Sequence, residues 1–169
     1  MEIQDVINNK EDRQFVMQAV QEKGKFLEFA SHILQDDKEV VIEALKQDGE
    51  ALEFASDRLK DDKEILLLGV TKAPWTVCYA SDRLRLDKEI ILESCRNYGQ
   101  ALYYASEQLR DDKEVVKAAI QNKGIIIKYA SLRVRQDKEL ALIAVKQNKQ
   151  AYHFLSDELK QDEDIKSLL

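Results

Sequence analysis

From Asp12 onward, apolar and polar residues follow one another in an order that returns every 25 positions, marked by Asp12, Asp37, Asp62, Asp87, Asp112, Asp137 and Asp162 without an insertion. A fixed period of this length belongs to helical-repeat arrays, in which each copy buries its apolar face against the next. The copies fall at 12–36, 37–61, 62–86, 87–111, 112–136 and 137–161. Partial copies at 1–11 and 162–169 are expected to cap the ends or to mark a longer array. In the copy that starts at Asp37, the aspartate suits a helix cap and Glu39 suits the first turn. Val40, Val41, Ala44 and Leu45 then recur at helical spacing, which predicts one short amphipathic helix. Gly49 follows it, as Gly24, Gly99 and Gly124 follow theirs, and is expected to stop the helix in the left-handed conformation.

A second helix is predicted at once, with Leu52, Ala55 and Leu59 on one stripe and Phe54 beside Ala51. Its aromatic column is Phe29, Phe54, Tyr79, Tyr104, Tyr129 and Phe154, and its serine column runs from Ser31 to Ser156. Each serine either bonds the carbonyl four residues back or caps a separate final turn. Helices of about ten residues are marginal alone in water, so stability must come from packing between copies. The expected fold is all-α, a single α-solenoid domain over 1–169 built of six 25-residue helix-turn-helix repeats.

Charge changes this picture little. The net charge is −6, which gives no reason for general attraction to nucleic acid or to an anionic membrane surface. No apolar run approaches the ~18 residues of a membrane span, and no signal peptide opens the chain. Cys78 and Cys95 form no metal or disulfide pattern, which suits a reducing compartment and a cytoplasmic chain; delivery into a host cell would leave no mark here. The column Lys60, Arg85, Arg110, Arg135 and Lys160, helped by Arg58, Arg83 and Arg133, is the best nucleic-acid signal. Each of these cations also falls in the last turn of a helix, where it complements the dipole beside the next aspartate, so a capping and salt-bridge ladder is the plainer reading.

Departures from the repeat carry what functional information there is. In columns that should face solvent, the middle copies hold Trp75, Cys78, Tyr98, Tyr103 and Ile125, a candidate partner-binding patch of the kind protein interfaces use. The rival reading is that Ala73-Pro74 alters the hairpin and buries Trp75. Leu68 and Ile143 are single apolar residues in an outward column of the first helix, and Cys95 occupies a packing column. His32 and His153 lack companions for nucleophilic catalysis, and a repeated pattern does not make the single asymmetric constellation an active site needs. No catalytic residue, cofactor or metal is expected.

The stretch DKEVVIEALKQDGEALEFASDRLKDDKEV resembles the repeat of the domain-of-unknown-function 4116 family, found in bacteria and protists and including proteins that intracellular bacteria such as Legionella deliver to hosts. The resemblance implies helical repeats over nearly all of 12–161 and carries no activity. Copy three departs most from it, at Gly69 and Ala73-Pro74-Trp75, and copy six has Lys149 in the glycine column. The resulting expectation is a non-catalytic scaffold for a protein partner, with nucleic-acid binding along the arginine ladder, or a structural spacer, as alternatives.

Overall fold

The computed structural model describes residues 1–169, and its regular elements are all helices, arranged as an all-α solenoid of repeated helix-turn-helix units. Six ten-residue α-helices, Arg13–Glu22, Lys38–Gln47, Lys63–Lys72, Lys88–Asn97, Lys113–Asn122 and Lys138–Gln147, occupy the first half of each copy. Each starts on its aspartate: the Asp37 carboxylate accepts the Glu39 and Val40 N–H groups at 3.0 and 3.2 Å, satisfying donors that a helix start leaves open. Val40, Val41, Ala44 and Leu45 are wholly buried. Each valine or leucine contributes about 1.5–3 kcal/mol on leaving water, which is what holds so short a helix.

The second half of a copy is not one α-helix, as expected, but two pieces. A 3₁₀ helix such as Gly49–Phe54 is followed by a single α-turn such as Asp57–Lys60. The apolar spacing explains the break: Gly49, Leu52 and Ala55 recur at every third residue and are buried, a strict three-residue period that a 3₁₀ helix places on one face. Ser56 ends the 3₁₀ piece in extended conformation, and its hydroxyl accepts the Leu59 N–H at 3.2 Å, which decides between the two roles open to the serine column. In copy three the last turn is itself 3₁₀, Leu84–Leu86.

The glycines also differ from expectation, since no residue has a positive φ. Their role is close approach. A Cβ at Gly24 would lie 2.3 Å from the Ala44 carbonyl oxygen, one at Gly49 2.8 Å from that of Gly69, and one at Gly124 2.2 Å from that of Ala144. At these glycines the start of the 3₁₀ helix thus rests on the last turn of the following copy's long helix. Lys149, in the same column, is exposed, and the partial copy that follows its own forms only the short helix Glu163–Lys166 in place of a ten-residue one.

The residues gather in two compact units, Met1–Leu84 and Arg85–Leu169, although the period runs through this point unbroken. In the first unit, Arg13 bonds Asp37 at 2.7 Å and Glu39 at 2.5 Å, and Lys38 bonds both Asp62 and Glu64 at 2.8 Å. Val6 of the short helix Ile3–Asn8 is buried with Ala19 and Phe26. In the second unit, Lys88 reaches Asp112 at 2.8 Å and Glu114 at 2.7 Å, Lys113 pairs with Asp137, and Lys138 meets Asp162 at 2.8 Å and Asp164 at 2.6 Å. The residue after each of these caps therefore ties down the cap of the next copy.

Asp37, Asp62, Asp137 and Asp162 are held below the ordinary carboxylate range, first by hydrogen bonds from Arg13, Lys38, Lys113 and Lys138 respectively. A depressed folded-state pKa stabilises the fold above the unfolded-state value, and that contribution is lost as pH falls through the folded value. The melting temperature should therefore be level between about pH 5 and 7 and drop below about pH 4; an unchanged value at low pH in circular dichroism would show that these pairs contribute nothing. Replacing Gly124 by alanine should cost about 1–3 kcal/mol in urea denaturation through overpacking, while Lys149→Ala should stay within about 0.5 kcal/mol.

Candidate functional site

The final turns of the copies are positioned by a second set of links. Ser56 donates its hydroxyl to Asp36 of the preceding copy, and Arg58 donates from Nε to the same carboxylate at 3.0 Å and from Nη2 to its backbone carbonyl at 2.8 Å. The same three-residue arrangement joins Ser81 and Arg83 to Asp61, and Ser131 and Arg133 to Asp111. Serine and arginine hold Asp36, Asp61 and Asp111 below the usual carboxylate range, with serine the larger cause at the first two and Arg133 at the third. Where the aspartate is replaced by Leu86 or Gln136, the arginine 22 positions later is replaced too, by Gln108 or Glu158. Leu86 is correspondingly exposed.

Salt bridges between copies run through the Arg58, Arg83 and Arg133 column; in the ladder of Arg85, Arg110 and Arg135, where they were expected, the Nε–H groups of Arg110 and Arg135 have no partner. These three ladder residues are half-buried. Lys60 of the same column lies over the Tyr79 ring of the next copy, 5.5 Å from its centre, and Arg135 donates from Nη1 to the Phe154 carbonyl oxygen at 3.3 Å. A half-buried column with such contacts does not present a continuous line of cations to a phosphate backbone.

The five candidate patch residues divide between the units. In the first, Pro74 opens the 3₁₀ helix Pro74–Tyr79, and Trp75 beside it is 46% exposed, so the reading in which Trp75 is buried does not hold. Its indole N–H makes a minor contribution to the lowered pKa of Glu50, whose main partner is Lys25. Cys78 is half-buried; Cys95, in the second unit, is buried with its thiol pushed up to about 12 by desolvation, and neither cysteine is in a disulfide.

In the second unit, Tyr98 caps the end of Lys88–Asn97, and Tyr103, in the column of Glu28, Glu53 and Lys128, is 57% exposed. Tyr103 meets Tyr104 and Tyr129 edge-on, with ring centres 5.2 Å apart in each case. Together with Tyr98 and Gln100 these rings enclose a cleft of about 130 Å³, while Ile125 stays half-buried outside its lining. Tyr104 and Tyr129 belong to the aromatic column read as packing. The one signal in the sequence was that these copies use tyrosine where others have phenylalanine, since a phenol keeps one edge toward water or a polar partner.

Other apolar positions escaped the periodicity. The fifth residue after each aspartate is Met17, Ile42, Leu67, Leu92, Lys117 or Leu142, all half-buried. In the first unit Ile42, Leu67 and Leu68 border a groove of about 440 Å³ between neighbouring long helices, with Lys46, Glu64 and Thr71 at its edges. Ile33 and Leu132, in the final turns, are strongly exposed. His32 lies 3.1 Å from the Gln35 side chain and His153 stands against Tyr152, so each histidine has a neighbour within its own copy. No group of three or more His, Cys, Asp and Glu side chains converges on a common point, and no helix is long and apolar enough to cross a membrane.

Tandem helical hairpins capped by an aspartate and, within each unit, linked to their neighbours by lysine and arginine define a helical-repeat protein. The family model described as Domain of unknown function (DUF4116) matches residues 12–60, 37–85, 62–110, 87–135 and 137–166, and the chain belongs to this family. Each of the first four matches covers two successive copies, the smallest piece that contains one complete set of links between copies. No curated protein and no solved structure matches the chain significantly.

If the aspartate–arginine link is a pairwise interaction, it should be transferable. Leu86→Asp and Gln108→Arg together should be more stable than the sum of the single changes by about 0.5–1 kcal/mol, the range of a well-placed surface pair. A double-mutant cycle with no coupling would reduce the link to a coincidence of composition.

Proposed function

We propose that this chain is a non-catalytic scaffold whose helical repeats hold a protein partner, with contact centred on the tyrosine cleft of the second unit and aided by Trp75 in the first. The observation that carries this reading is Tyr103, a large ring 57% exposed in a column that other copies fill with Glu28, Glu53 and Lys128. The exposed part of such a ring contributes nothing to the fold by burial. Its edge-on contacts with Tyr104 and Tyr129 also fix its orientation, so little side-chain freedom remains to be lost when a partner covers it. Aromatic anchors beside small clefts are the usual centres of binding energy in protein interfaces. The half-buried arginine ladder weighs against a polyanion as the natural ligand.

Tyr103→Ala should lower capture of the partner from cells that make the protein at least tenfold, with the helical circular dichroism signal unchanged; Trp75→Ala should give a smaller loss. Capture indifferent to both substitutions would place the interface elsewhere.

A further inference from the structure

We infer that the second unit holds a seat for one carboxylate of an acidic peptide, formed by Arg110 and Arg135 in a groove that shares Tyr129 with the tyrosine cleft. That the carboxylate belongs to a protein partner rests on the scaffold reading above; the seat itself rests on separate observations.

A groove of about 330 Å³ runs between the final turns Glu107–Arg110 and Leu132–Arg135, lined by Glu107, Arg110, Tyr129, Ser131, Leu132 and Arg135. The Nε–H groups of Arg110 and Arg135 are buried and donate to nothing, and no carboxylate forms an ion pair with either guanidinium. The contact from Arg135 to the Phe154 carbonyl reaches a neutral acceptor. A buried donor left open costs about 1–3 kcal/mol, and more when charged, so an anion drawn against the two guanidiniums offsets part of a standing penalty.

Neighbouring charges are already neutralised. Arg133 is paired with Asp111, Lys160 lies 3.5 Å from Asp157, and the Ser131 hydroxyl is donated to Asp111. Inside the groove, two guanidinium charges less one from Glu107 leave one positive charge, which matches a carboxylate better than a doubly charged phosphate. An isolated charge of this kind is a point of attachment and not a track for a polyanion. Tyr129 forms a wall of both the groove and the cleft, and Leu132 stands 60% exposed at the rim. A peptide with its acidic side chain on the arginines would therefore place a neighbouring side chain at the tyrosines.

The test is titration of the full ¹⁵N-labelled chain, followed at the arginine Nε–H resonances, with acetyl-Phe-Glu-amide, its glutamine counterpart, inorganic phosphate and an oligothymidylate. The glutamate peptide should shift the Arg110 and Arg135 signals to saturation and bind at least tenfold more tightly than the glutamine peptide. Arg110→Gln should remove that preference, and the comparison of probes on the unaltered chain stands even if this variant does not fold. Equal response to both peptides, no shift at the two arginines, or tighter binding of phosphate or of the oligonucleotide would each overturn the seat. Silence at the arginines while capture still depends on Tyr103 overturns the seat alone. Saturating shifts while capture ignores Tyr103 keep the seat and overturn the scaffold reading.

Discussion

The structure depends on an aspartate that does two things at once. Each cap carboxylate accepts backbone N–H groups at the start of its own helix, and at most copies it also accepts a lysine or arginine from the copy before. A ten-residue helix has little stability of its own, so its beginning has to be fixed in space as well as satisfied. One carboxylate meets both needs because its two oxygens face different partners. For Asp62, Oδ1 takes the Glu64 and Ile65 N–H groups and Oδ2 takes the Lys38 Nζ. The residue after the cap is basic in all six copies, and at Arg13, Lys38, Lys88, Lys113 and Lys138 its backbone lies in one helix while its charge serves the next.

A scaffold stitched in this way leaves some columns outside the network that folds it. Among the basic residues this distinction is sharp. Arg133 is held by four contacts to Asp111, whereas Arg110, in the neighbouring column, is half-buried without an anion. The two types look alike in the sequence, and only one is accounted for by folding. Tyr103 and Tyr104 make the same contrast side by side, one outward and one in the packing column.

Much of this was legible beforehand, for a physical reason. An aspartate cap and an apolar helix face are local devices, so their 25-residue recurrence gave the copies and the long helices directly. The serine column left a separate final turn open, but the 3₁₀ form of the piece before it was not separable, because Gly49, Leu52 and Ala55 at three-residue spacing suit an α stripe as well as a 3₁₀ face. The glycines were assigned to the wrong cause because the obstruction is a carbonyl roughly 20 residues away in the chain, which no local pattern reports. The joint replacement of Asp by Leu86 and of Arg by Gln108 was present in the letters. It acquires meaning only once residues 22 apart are known to touch. Trp75 and Tyr103 were found as departures from a column, while Tyr104 and Tyr129 conformed to theirs and were passed over.

The spans of the links between copies have one more consequence. The hydrogen bonds from Ser56 to Asp36, from Arg13 to Asp37 and from Arg13 to Glu39 close loops of 20, 24 and 26 residues, respectively. Closing loops of that length is entropically cheap, and a fold made of them has low contact order. Assembly can begin at any adjacent pair of hairpins and lengthen from there, without waiting for distant segments to meet. On the ribosome, each hairpin would find its neighbour already in place, and a chain arrested partway through synthesis would hold a shorter, self-consistent array in place of a collapsed intermediate.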